Sequence, residues 1–418
     1  MRKGVLVSVF SVIFAVVIFG GGFLLGYGVG GGGTFLQSFF GNLAGQSEKS
    51  SPGTSQENSM DIFSEDIRSI EEALNFISAN SISGKTKQEL LRAAIEGMLS
   101  VLDDRYADYF PQREYSHIME SYSGTMSGIG VVVTQNKENQ VIIISVIDGT
   151  PASEKGILAE DIIVEVDDTD IADKSIDEVV SMIKGEENTE VKITILRPSE
   201  NKKYSHTITR RKFYVPNFYI NTLEENILYI QYIDFQENGA EKLSEKLQEQ
   251  ADENIDGIII DLRNNLGGTL DDAVNFCDLF LEEGTIVSVK GRTDYKDRTE
   301  EFEAKPGGFT DIPVVVLING YSASAAELAA GALKDLGRAV IVGEKSFGKG
   351  TVQVLDELPD GSGIKFTTAK YYLPSGVTID GTGITPDFVV GLTQDDTEDV
   401  QLNRAVEELK KLIENGQI

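Results

Sequence analysis

The chain has 418 residues, of which 41% are hydrophobic and 25% charged, the balance of an ordinary globular protein long enough for two or three domains. A formal net charge of −30 repels nucleic acid, and a single cysteine, Cys277, cannot form an intrachain disulfide. No CxxC or HExxH spacing is present, so the expected chemistry uses neither a metal nor another cofactor.

Arg2 and Lys3 precede a stretch with no charged residue until Glu48, apolar from Val5 to about Val29. That run exceeds the ~7–15 residues of a signal-peptide core and reaches the about 20 needed to cross a bilayer. Residues 1–34 are therefore expected to be a transmembrane signal anchor. Its basic end is expected to stay in the cytoplasm, so the chain is expected to be a single-pass cell-membrane protein with everything after the anchor extracytoplasmic. Glycines at Gly20–Gly22 and Gly30–Gly33 weaken the helix and leave a cleaved signal as the alternative. Residues 35–59 contain QSEKSSPGTSQEN, a polar, serine-rich flexible linker. Residues 60–120 form a helical region, with helices predicted over Met60–Ala79 and Thr86–Leu102. Leu90, Leu91, Ala94, Ile95, Met98 and Leu99 form an apolar stripe on the second, a core face or a helix–helix contact.

Residues 121–200 read as a β-rich module. GIGVVVTQ, QVIIISVI, DIIVEVDD and EVKITILR are strands, and Asp173–Lys184 is a helix. Short strands around one helix fit a PDZ-like domain. Gly128, Ile129, Gly130 and Val131 would be its carboxylate loop, with backbone N–H groups facing a peptide's terminal carboxylate and the peptide adding as a strand at the sheet edge. Alone, GIGV is equally a β-turn. The pocket beside it is expected to be lined by Ile129, Val131, Val179 and Ile183, and so to prefer free, apolar C-termini of protein or peptide substrates.

Residues 201–392 form an α/β core. Strands are expected at Ser205–Tyr214 and Ile227–Tyr232, an amphipathic helix at Gly239–Gln250 and a buried strand at Ile258–Leu262. That last strand runs into Arg263-Asn264-Asn265-Leu266-Gly267-Gly268, whose glycines let backbone N–H groups approach a ligand. Further on, Pro313–Ile318, Ala325–Leu336 and Ala339–Val342 read as strand, helix and strand, a βαβ unit. Ser324 opens that helix, Lys349 follows 25 residues later between two glycines, and Gln353 lies four beyond.

The plain reading of Ser324 is an N-cap, since Ser324 to Glu327 fits a capping box. The same position points its hydroxyl into unpaired helix N–H groups that stabilise developing negative charge. A base is missing: His117 and His206 are distant in sequence and in no motif. Lys349 can supply one if burial removes its proton, with the uncharged Gln353 amide holding the amine. Residues 393–418 close the chain with a charged helix, Asp399–Glu414.

SASAAELAAGALKD, VGEKSFGKGTVQ and IIIDLRNNLGG together resemble the carboxy-terminal processing proteases, tail-specific serine peptidases that use a Ser/Lys pair. The resemblance implies that Ser324 is the nucleophile, Lys349 the base and Gln353 its partner, and it demotes Ser322. It also implies that Gly268 and Ala325 supply the oxyanion N–H groups, the choice between Gly267 and Gly268 being left open by Leu266. DGTPASEKGILAEDIIVEVDD is similar to the PDZ core of the same family. The likeness runs from about Ile67 to Leu412 and allows self-association through the N-terminal helices. It departs at LDDRYADYF, Leu102 to Phe110, where the family has a Leu-Asp-Pro-His-Ser type of sequence.

The expected protein is thus a multidomain, mixed α/β, membrane-anchored serine endopeptidase that captures substrate C-termini through a PDZ-like domain. A catalytically silent, membrane-tethered PDZ adaptor is the alternative. An NTPase is disfavoured: GEKSFGKG lacks the Ser/Thr after Lys349, and the acidic strand ending at Asp261 precedes the loop. There is no GxSxG nucleophile elbow.

Overall fold

The computed structural model describes residues 57–416, apart from 137, 251–254, 294–295 and 394–395. The expected anchor over 1–34 and most of the expected linker lie outside the described residues, among which no helix is long and apolar enough to cross a membrane. Two compact units emerge, one built on Ser123–Pro216 and the other on residues up to Tyr122 together with Asn217–Ile418.

The larger unit is organised by a six-stranded sheet in the order Phe218–Thr222, Ile227–Tyr232, Gly257–Asp261, Val314–Ile318, Ala339–Gly343 and Phe388–Val389. The first pair is antiparallel and the other four pairings are parallel. Alternate side chains of the central strands face opposite layers. Ile258, Ile260, Val314 and Val316 pack beneath the helices Gly239–Glu249, Leu270–Asp278 and Ala325–Asp335. Ile259, Val315, Leu317 and Val342 pack against Ala405 and Leu409 of the terminal helix Val400–Asn415. Burial on both faces explains why these strands read as unbroken apolar runs. Their carboxyl ends release the loops 262–269, 319–324 and 344–350 on one edge, the usual place for a site in an open α/β sheet.

A second sheet joins Asp108–Phe110, Gly363–Tyr372, Thr285–Thr293 and Lys296–Glu303, with Thr351–Glu357 also paired to Gly363–Tyr372. The 285–303 hairpin is not evident in the sequence because its outer strand, KDRTEEFE, is charged at all but Thr299 and Phe302, as solvated edge strands often are. The helices Glu57–Asn80 and Lys87–Ser100 form near their expected bounds. No residue of the second is fully buried: Leu91 and Met98 of the stripe are exposed, while Leu90, Ala94, Ile95 and Leu99 are half-buried.

The smaller unit is an antiparallel sheet in the order Val131–Gln135, Val141–Val146, Ile162–Val166, Glu190–Arg197 and Lys202–Thr209, with the helix Ile176–Ile183 over its core. The strand expected over Ser205–Tyr214 breaks at Arg210, whose guanidinium is buried on the carbonyls of Met182, Ile183 and Glu190. Arg211–Tyr214 then pairs separately with Thr125–Gly128.

Candidate active site

Ser324 stands at the N-terminus of the Ala325–Asp335 helix, 4% exposed, with φ 55°. Such a φ is costly outside glycine, so the surroundings must hold it. Glu327 and Tyr371 do so. The Glu327 carboxylate accepts from Ser324 N (2.9 Å), Gly348 N (2.6 Å), Lys349 N (2.8 Å) and the Ser346 hydroxyl (2.5 Å). The Tyr371 hydroxyl reaches the carbonyls of both Ser324 and Lys349. One carboxylate and one phenol therefore staple the serine segment to the lysine loop. Glu327 is visible in the sequence only as a capping residue, and Tyr371 carries no sequence signal. Burial raises the Glu327 pKa, against the hydrogen bonds from Ser346, Lys349, Gly348 and Ser324.

Lys349 is 1% exposed, and its Nζ has no hydrogen-bond partner among the described residues. The amine lies 4.6 Å from the centroid of the Tyr106 ring. Burial lowers its pKa to about 7, helped by the charges of Lys365 and Arg105 and opposed by those of Asp104 and Glu327. Flanking glycines make the loop possible. A Cβ on Gly350 would lie 2.5 Å from Asp380 N, and Gly348 takes φ 95°.

Gln353 departs from expectation. Its Nε2 donates to Thr351 Oγ1 (2.8 Å) and Thr367 Oγ1 (3.4 Å), and its Oε1 is buried without a partner, so it does not hold the lysine amine. A register shift between Val352 and Gln353 spoils the simple four-residue spacing from Lys349.

The glycine loop sits against the serine. A Cβ on Gly267 would lie 2.9 Å from Ser324 Cβ and 3.0 Å from Ala325 N, and one on Gly268 would lie 2.1 Å from Phe235 O. Gly267 N donates to Asn265 Oδ1 (2.8 Å). The N–H groups of Gly268 and Ala325 have no partner among the described residues, which favours Gly268 over Gly267 as a donor. Arg263, bonded to Asp261, Asp399 and Gln401, fixes the loop's start. Both Asp261 oxygens are engaged by Arg263, and Oδ2 also by Tyr229, which leaves that carboxylate ill suited to magnesium. Ser322 is structural: its hydroxyl donates to Leu262 O (2.7 Å) and accepts from Asn319 N (2.9 Å).

In the smaller unit, Val131–Gln135 is the edge strand of its sheet. The carbonyls of Ile129 and Gly130 are bonded inward by Ala152 N and Ile147 N, and the N–H groups of these two residues have no partner among the described residues. Gly130 has φ 86°, and a Cβ there would lie 2.2 Å from Thr150 Cβ. A groove beside the loop is lined by Ile129, Val131, Val133, Val180, Ile183 and Phe213. Val179 is not among them, being wholly buried in the core. The helix begins at Ile176, and this phase turns Val180 to the groove.

Three family models match: Peptidase family S41 over residues 226–390, a PDZ domain over 142–197, and the activating protease CtpB N-terminal domain over 27–113. A carboxy-terminal-processing protease of Bartonella bacilliformis is 38% identical over 72% of this chain and 70% of its own length. The chain belongs to peptidase family S41. Within that family of serine peptidases it is also 35% identical to a probable CtpA-like serine protease of Staphylococcus aureus, over 78% of this chain and 64% of that one. A solved photosystem II D1 C-terminal processing protease is 26% identical over 80% of this chain and 95% of its own, with a TM-score of 0.46.

Proposed function

We propose that this S41 peptidase is a membrane-anchored endopeptidase that binds substrate C-termini in its PDZ domain and cleaves with a Ser324/Lys349 pair. The observation that carries this reading is the buried, unpartnered Lys349 amine with a pKa of about 7, on a loop tied through Glu327 to the Ser324 segment. A neutral amine near neutral pH is what a general base requires.

In the acylation step, Lys349 Nζ takes the hydroxyl proton of Ser324 as Oγ attacks the scissile carbonyl. The N–H groups of Gly268 and Ala325 hold the oxyanion. The lysine returns the proton to the leaving amine as the C–N bond breaks, and water then releases the acyl group. The Ile129 and Gly130 N–H groups receive the substrate carboxylate while its last residues pair along Val131–Gln135. The uncharged run after Arg2 and Lys3 supports the anchor.

The test is cleavage of an unfolded reporter protein by the full-length chain beside its Ser324→Ala and Lys349→Ala variants. Both variants should be inactive and Ser322→Ala should retain cleavage. Full activity in Lys349→Ala would sink the Ser/Lys pair, and no cleavage by any form would favour the adaptor.

A further inference from the structure

LDDRYADYF, the segment that departs from the family pattern, lies beneath the lysine. Its Asp104 carboxylate accepts from Thr367 N (2.6 Å) and Thr367 Oγ1 (3.1 Å), and also from Tyr106 N (3.0 Å). Asp108–Phe110 pairs with Gly363–Lys365. So anchored, the segment presents two rings to two buried lysines: Tyr106 to Lys349 at 4.6 Å, and Phe110 to Lys365 at 4.9 Å. A cleft of about 1280 Å³ is lined by Arg105, Tyr106, Thr351 and Thr367 among others. Tyr106 lines that cleft and Lys349 does not.

We propose that Tyr106, held in place by Asp104, is a positioning residue for Lys349, its ring separating the amine from the water of the cleft. The inference rests on the Ser/Lys reading above and deepens it. The groups facing the amine are Lys365 from the strand Gly363–Tyr372, Arg105 and Asp104 from the loop, Glu327 from the helix, and the Tyr106 ring. Burial is the foremost cause of the lysine's lowered pKa, so whatever keeps the amine dry keeps it unprotonated near neutral pH. A ring face also attracts an ammonium and so works against burial.

The experiment is the pH profile of kcat/KM for the full-length protein and its Tyr106→Phe, Tyr106→Ala and Tyr106→Gln variants. The acid limb reports the base in the free enzyme. Tyr106→Phe should keep it in place. Tyr106→Ala and Tyr106→Gln hydrate the amine and move the limb upward, so the ratio of rates at about pH 8.5 to about pH 6.5 rises about tenfold. The glutamine variant fills most of the ring's space and serves if alanine fails to fold. A loss of rate equal at every pH, with the limb unmoved, overturns the inference. If Lys349→Ala itself remains active, the underlying Ser/Lys reading fails instead.

Discussion

Replacing Lys349 by methionine should stabilise the protein, by an amount that depends on pH. The lysine pKa falls from 10.5 to about 7 on folding, which at 1.36 kcal/mol per unit is about 5 kcal/mol of unfavourable burial. Losing the contact with the Tyr106 ring offsets about 0.5–2 kcal/mol, leaving a gain of about 3–4 kcal/mol. The folded-state pKa is depressed, so the unfolded chain binds the extra proton between about pH 7 and 10.5. The lysine's destabilisation is therefore full below about pH 7, shrinks as pH rises through that window, and vanishes above 10.5. Calorimetry of Ser324→Ala and Ser324→Ala/Lys349→Met proteins, the first change preventing self-digestion, reads the difference as about 2–4 °C in Tm per kcal/mol. A gain of the same size at about pH 6 and about pH 10, or no gain, would refute the argument that burial sets the state of this lysine.

Glu327→Gln keeps the shape of the staple but turns one acceptor oxygen toward donors as an NH2, losing two of the four hydrogen bonds. At about 1.5–3 kcal/mol each, kcat/KM should fall more than tenfold and the core transition should drop; a parental rate would mean the staple is dispensable. In the PDZ domain, a peptide with a free carboxylate should bind the full-length Ser324→Ala protein at least about tenfold more tightly than its C-terminal amide, one lost charge-assisted bond being sufficient. Equal affinities by fluorescence anisotropy would reduce Gly128–Val131 to a turn.

The centre of the parallel sheet was legible because its strands are buried on both faces and bounded by glycine or a polar loop, as in GIIID and VVVLI. The placement of Ser324 at a helix start and of Lys349 on a tight loop was legible because both carry local signals: a helix-opening serine with small neighbours, and a lysine between glycines. The supports of the site were not. Tyr371, Tyr106 and Asp104 act through contacts across tens to hundreds of residues, and although LDDRYADYF stands out against the family pattern, nothing local to it points to the lysine. Gln353 was found by spacing, but its hydrogen bonds were misread because a bulge cannot be seen in a strand pattern. Val179 and Val180 were confused for a similar reason, since in an eight-residue helix one residue of phase decides which side chain meets the groove.

The bond from Thr367 to Asp104 joins residues 263 apart in the chain. On the ribosome, Asp104 and Tyr106 are made first, then the PDZ domain, then Ser324 and Lys349, and Thr367 after them. The serine and the lysine thus precede in synthesis the residue that ties the floor under the lysine. The floor under the lysine therefore joins early and late parts of the chain, and it can close only after the PDZ domain between them has been made.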